Sequence, residues 1–234
     1  MRIWDINPGY LNRQSLLGEH RELHGIVSIL VNGRKGYSRH PDTLRWVGYG
    51  WALRKRHQML AAEMSLRGFT DKTPVLIRSG RGFWPDVYID EPGRQFQLLE
   101  IKYENREQGR IPLPENAQQL WRHHKYSVLA RDIERYKIIG REVSAMKSGD
   151  DFSELAKLLT ELLRKQPSAG GIRNALLHMW GYVSENYSRS KRDVDSWSLP
   201  RLFNEMQRLA LTGKESYLLS STALSELKVW IPGV

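Results

Sequence analysis

The sequence predicts an all-α protein, and three observations predict it. Apolar residues recur at helical spacing through most of the chain, Pro and Gly gather in a few stretches, and few runs alternate with a period of two. Following the loop-like "DINPG", residues 13–31 carry Leu16, Leu17, Leu23, Ile26, Val27 and Leu30 at i, i+3, i+4 and i+7 spacing, which makes a first helix. After the polar loop "NGRKGYSRHPD", Asp42 reads as the cap of a long helix running to about Arg67 and ending at Gly68. Residues 70–95 are irregular, with Pro74, Gly80, Gly82, Pro85, Pro92 and Gly93. A third helix is expected from Pro92 to about Gln108, with Phe96, Leu99 and Tyr103 on one face, followed by the connection "GRIPLPEN". Beyond Asn116 the expected helices are 116–147, 152–165, 172–187, 199–212 and 214–228, with "KQPSAGG" separating the second and third. The chain is thus read as a helical domain, 1–115, packed on a helical bundle, 116–234.

At 234 residues, 40% of them hydrophobic and eight of them Trp, the chain can bury a core without staples. It has no cysteine, which excludes disulfides and thiolate metal sites and fits a reducing compartment. No apolar run reaches the roughly 18 residues of a membrane span and no signal-peptide pattern opens the chain, so a soluble cytoplasmic protein is expected, associated with the nucleoid if it binds DNA. The net charge is +10, and residues 1–81 hold 14 basic and 6 acidic side chains, so +8 of it lies in the first third. A basic segment carrying Trp and Tyr fits a nucleic-acid partner.

The opening stretch, "MRIWDINPGYLNRQSLLGEHRELHG", carries the chemistry. Methionine is trimmed only before small residues, and Arg2 follows it here, so Met1 is expected to keep its free amine. An α-amine has an unperturbed pKa of roughly 7.7–8, leaving a useful nucleophilic fraction at neutral pH. Placed beside a carboxylate such as Glu22 on a phosphate-binding surface, it suits attack on a deoxyribose C1′. No metal or cofactor is needed for that route.

These residues resemble the pyrimidine-dimer DNA glycosylases, the phage endonuclease V-like enzymes. The resemblance lies in the interval from Met1 to Glu22, in "SLLGEHREL", in "LRKRHQMLAAEMSLRGF" (residues 53–69) and, more loosely, in "WRHHKY" (residues 121–126), about half of the chain. It implies Met1 as the Schiff-base nucleophile and Glu22 as the acid/base, with Arg2 and Arg21 on phosphates near the lesion. Arg54, Lys55, Arg56, Trp121, His123, His124, Lys125 and Tyr126 are the further candidates for DNA contact. The partner is damaged double-stranded DNA, with no membrane and no obligatory protein. Ser15 and Gly25 depart from the family, which has a histidine and an arginine there, and this bears on lesion preference. Trp4, Trp46 and Trp51 are available as wedges. His20 and His24 are expected to be structural or groove-lining, because no Asp or His stands at metal spacing beside them.

Two other classes compete. "WPDVYIDEPGRQFQLLEIKYEN" carries the spacing of a Mg²⁺ nuclease motif, Asp86 with Glu100 and Lys102, if residues 99–103 form a strand. The helical reading is favoured because few other strands exist to build a sheet. A binding module without turnover is the third class.

The second half, from "HHKYSVLARDIERYKIIGREVSA" through "GGIRNALLHMWGYVSENYS", resembles an uncharacterised all-helical bacterial domain. Asn174, His178 and Tyr182 fall on one helical face and, with Lys125 and Arg141, could form an anion pocket or a buried polar network. Trp180, Trp197 and Trp230 are expected in the core.

Overall fold

A computed structural model describes residues 2–184 and 194–233, and among them every regular element is a helix. Internal contacts divide the chain into Met1–Gly109 and Arg110–Val234, ahead of the "PLPEN" stretch.

In the first unit, helix α1 (Arg13–Asn32) is capped by Asn12, whose side chain accepts from the Ser15 N–H, and it ends at Gly33 with φ +62°. Its inner face is Leu16, Glu19, Leu23 and Ile26, the predicted period with one charge among the apolar residues. The long helix expected from Asp42 is instead two, α2 (Pro41–Arg45) and α3 (Gly50–Leu66). Gly48 sits between them at φ +85°, a left-handed conformation that interrupts a helix and that glycine adopts without strain. The cap is also not Asp42, which lies buried in the first turn; the His40 ring accepts from its N–H. Helix α3 is buried nearly all round and packs on α1. A Cβ on Gly50 would lie 2.6 Å from Ser79 Oγ, and the Trp51 N–H donates to the Ser79 carbonyl at 2.8 Å, so the loop after α3 folds back onto its start. Helix α4 (Pro92–Lys102) turns Phe96 and Leu99 inward. It stops well before Gln108, and Tyr103, just past its end, accepts from the Asn12 N–H at 2.9 Å.

The second unit begins with α5 (Ala117–Leu129) and α6 (Ile133–Ala145), where one helix over 116–147 was expected. Asp132 makes the break, its carboxylate accepting from the N–H groups of Glu134 and Arg135 to start a new helix. Helices α7 (Ser153–Arg164), α8 (Ala169–Trp180) and α9 (Leu199–Thr212) follow. The tail, expected as one helix over 214–228, is two single turns, Ser216–Leu219 and Ala223–Glu226, and a 3-10 turn, Leu227–Trp230. Helix α5 packs on α6, α7 and α8, and α8 on α9. Arg131 locks the centre, with two hydrogen bonds of 3.0 Å to the Glu226 carboxylate and others to the carbonyls of Ser127 and Leu163. Trp180, Trp197 and Trp230 are buried as expected, the first two packed edge to face with centroids 5.5 Å apart.

Helix α8 ends before Tyr182, and the last residues of the predicted 172–187 helix, from 185, lie outside the described residues. His178 is exposed, so the Asn174–His178–Tyr182 face is not a buried network. Tyr182 instead stacks on Tyr217, centroids 4.8 Å apart, and bonds the Tyr126 hydroxyl at 3.2 Å. Among the described residues no helix is long and apolar enough to cross a membrane.

Candidate active site

The chain enters the first unit through residues 2–6, and these are tied down at almost every polar group. The Arg2 N–H donates to the Glu22 carboxylate. The Ile3 N–H donates to Asp42 Oδ2 at 3.3 Å, while those of Asp5 and Ile6 share Gln95 Oε1 at 2.8 and 3.4 Å. Gln95 is itself held, its amide donating to Asp5 Oδ2 at 2.9 Å and to the Asp90 carbonyl at 2.7 Å. Arg45 grips Asp5 with two hydrogen bonds, 2.9 and 3.2 Å. Ile3, Trp4 and Ile6 meanwhile go into the core. The result is a terminal segment with little freedom, ending at the carboxylate of α1.

Glu22 is half-buried on α1, with Arg21 exposed beside it. The Arg2 guanidinium pairs with Asp90 and lies over the Trp4 ring, 4.3 Å from its centroid. Met1 lies outside the described residues. Asp42, which holds the Ile3 N–H, has its carboxyl pushed above the usual range by burial, with Arg45 opposing.

Of the basic run on α3, Arg54 and Lys55 are half-exposed, and burial lowers the Lys55 ammonium with Arg54 adding to the effect. Arg56 corrects the expectation of a phosphate contact. Its side chain is buried between Glu19 and the Ile6 carbonyl, so it is committed to the interior. Burial raises the Glu19 carboxyl even with Arg56 attached. The wedge candidates are corrected too, since Trp4, Trp46 and Trp51 are all core residues. Exposed apolar groups stand elsewhere: Tyr37, Leu44 and Val47 ahead of α3, and Leu76, Phe83 and Val87 on the loop between α3 and α4, which also carries Arg78 and Arg81. Sequence reading missed those on this loop because it has no period to reveal its faces.

Residues 121–126 lie on α5 of the second unit. Trp121 and Lys125 are half-exposed, whereas His123, His124 and Tyr126 are buried, which removes these three from the surface on which DNA contact was expected. Burial lowers His123 to about 3 and His124 to about 4. Trp121 lines a surface groove with Tyr136, Lys137, Gly140, Arg141 and Ser144. Lys125 stands over the rings of Tyr126 and Tyr217, 4.8 and 4.9 Å from their centroids.

The nuclease motif does not assemble. Glu100 and Lys102 are on α4, exposed, and two positions apart on a helix points them about 200° apart round its axis. Among the described residues there is no strand to carry the pair. What remains is a basic unit with its terminal segment fastened to a helix-borne carboxylate. Residues 1–76 match the pyrimidine dimer DNA glycosylase family. This matched region of the glycosylase-like unit contains Glu22, α1 and α3, and stops short of Asp90 and Gln95. Residues 125–196 match a protein family of unknown function, DUF1722. No curated protein and no solved structure gives a significant match.

The glycosylase-like unit also holds a cluster that the sequence concealed. His20 and His24 from α1, His57 from α3 and Asp71 bring one ligand atom each to within 4.8 Å of all the others. Burial, the largest effect, lowers His57 to about 4 against the pull of Asp71. Burial likewise lowers His24, with His20 adding to it. The partners missing from metal spacing in the sequence are supplied by packing.

Proposed function

We propose that the protein is a DNA glycosylase acting on pyrimidine dimers in duplex DNA, with abasic-site lyase activity, and that Met1 and Glu22 carry both reactions. One observation supports this above the others: the Glu22 carboxylate accepts a hydrogen bond from the Arg2 N–H. Neighbouring Cα atoms are about 3.8 Å apart, so a group that holds this amide stands about one residue from the amine that precedes it.

In the proposed sequence, the unprotonated Met1 amine donates its lone pair to C1′. The C1′–N1 bond breaks and its electron pair leaves with the pyrimidine, which takes up a proton. The amine loses a proton and the C1′–O4′ bond opens, its electron pair remaining on O4′, which takes up that proton, to give an imine. Removal of a C2′ proton then expels the 3′ phosphate by β-elimination, and water releases the amine. Glu22 is the group proposed to accept and return protons in these steps. Each step is complete without a metal or redox cofactor.

Duplex DNA hides C1′ behind stacked bases, so the lesion must be kinked and turned out. Phe83 is the apolar group proposed to wedge, with Arg21, Arg54 and Lys55 on phosphates and Arg2 near the lesion. In the second unit Trp121 and Lys125 remain candidates for DNA binding. A DNA substrate implies residence with the nucleoid in the cytoplasm.

The test uses untagged protein, without added divalent metal, on duplexes carrying one abasic site or one cyclobutane dimer, with borohydride present. A covalent adduct mapping to Met1 on both duplexes is expected. Adduct on the abasic duplex alone would keep the lyase and discard the dimer specificity. No adduct on either, with cutting restored by Mg²⁺, would overturn the amine mechanism.

A further inference from the structure

His20 and His24 stand at i and i+4 on α1, so their rings share one face of the helix and lie 4.7 Å apart between centroids. His57 reaches them from α3, with ring centroids 5.0 Å from His20 and 4.8 Å from His24. Asp71 closes the set from the segment after α3. All three rings turn Nε2 toward the same place. His57 Nε2 is 3.1 Å from His24 Nε2, His20 Nε2 is 3.2 Å from Asp71 Oδ1, and His57 Nε2 is 3.5 Å from Asp71 Oδ2.

We propose that these four side chains form a structural zinc site that ties α1 to α3 and to Asp71. A tetrahedral Zn²⁺ with nitrogen ligands at about 2.0–2.1 Å and oxygen at about 2.0–2.2 Å sets its ligand atoms about 3.3–3.5 Å apart. The His24–His57 nitrogen pair at 3.1 Å, and the distances from His20 to one Asp71 oxygen, 3.2 Å, and from His57 to the other, 3.5 Å, are each close to that edge length. The widest pair, at most 4.8 Å, needs to close by little more than an ångström. Three imidazoles and one carboxylate favour a zinc-class ion over Mg²⁺ or Ca²⁺, which take oxygen. Four protein ligands fill a tetrahedron and leave no open position, which is the structural rather than the catalytic arrangement.

The site is off the Glu22 side of α1. Glu22 is two positions from both His20 and His24, about 200° round the helix, so the ion would act by fixing the helix and not by touching substrate. Thr73 Oγ1 lies 3.1 Å from Asp71 Oδ1 and from His24 Nε2, and its N–H donates to the same Asp71 oxygen at 3.0 Å, which holds the carboxylate toward the rings.

The test needs the untagged full chain, because a histidine tag would bind metal itself. Protein purified without chelator is expected to retain one zinc per chain by mass spectrometry of the metal. After removal of zinc by a chelator, added Co²⁺ should give the intense visible bands of tetrahedral coordination, which Zn²⁺ then abolishes. Zn²⁺ should raise Tm, and His24→Asn and His57→Asn should lose the cobalt bands. If either variant does not fold, the cobalt spectrum of the unaltered chain decides. A weak octahedral spectrum, or no retained zinc together with a Tm unmoved by Zn²⁺, overturns the proposal.

Discussion

Arg56 Nε donates to Glu19 Oε1 at 2.7 Å and Arg56 Nη2 to Glu19 Oε2 at 2.9 Å, joining α3 to α1 through a two-pronged ion pair closed off from water. Removing one partner would strand the other charge in the interior. Arg56→Leu is expected to destabilise the protein by about 3–5 kcal/mol, and a joint Arg56→Met, Glu19→Leu replacement to recover most of that. Urea denaturation of the three proteins checks it, and equal loss in the single and double variants would contradict the account.

Glu22→Gln keeps the shape of the side chain and an oxygen to accept from the Arg2 N–H while losing the ability to take up a proton. Turnover on an abasic duplex should fall by about 10²–10⁴-fold, with binding of the same duplex little changed. Gel-shift affinities beside single-turnover rates separate the two quantities.

Arg54 and Lys55 are the members of the α3 basic run left half-exposed. Every phosphate that a substitution leaves without its cation should reduce the slope of log K against log salt by about 0.9. Arg54→Ala and Lys55→Ala are therefore expected to weaken duplex binding in a salt-dependent way. Fluorescence anisotropy across a salt series would read a parallel, unshifted slope if neither touches DNA.

Phe83→Ala removes the proposed wedge from a position that is 71% exposed, so fold stability should hardly move. Excision from an intact dimer duplex should drop, while cleavage at an abasic site, already unpaired, should drop less. Equal losses on the two substrates would argue against insertion.

His123 and His124 are held neutral by burial, at about 3 and about 4 against an ordinary 6.5. Their folded-state pKa values are depressed, so the unfolded chain binds more protons between about 4 and 6.5. Their contribution to stability is full above that window and is lost as pH falls through it. Hydrogen-exchange protection of α5 in the full chain should decline from pH 7 to pH 5, and His124→Gln should flatten the decline.

The all-helical architecture was legible because residues such as Leu16, Leu23 and Ile26 repeat at helical spacing, and because Pro and Gly mark the ends. Boundaries made by a single side chain were not. Asp132 looks like one more polar residue in a helical pattern, and nothing in its neighbours announces that its carboxylate will start a new helix. Glu22 was singled out through a spacing matched to a known family. Arg56 was misread because a run of four basic-type residues wraps round a helix, and only packing decides which one turns inward. The histidine cluster was hidden for the same reason, since His57 and Asp71 are far from His20 in sequence.

The segment that ends at Glu22 is secured by residues that the chain has yet to synthesise when that segment is made. Gln95 reaches back 90 positions to Asp5, and Asp90 reaches back 88 to Arg2. Both lie past residue 76, where the family match stops. A fragment cut at that boundary would contain Glu22, Asp42, Arg45 and both long helices, and yet lack two of the side chains that hold residues 2–6, Gln95 and Asp90. A translation product halted before α4 would thus hold residues 2–6 by fewer contacts than the full chain gives them.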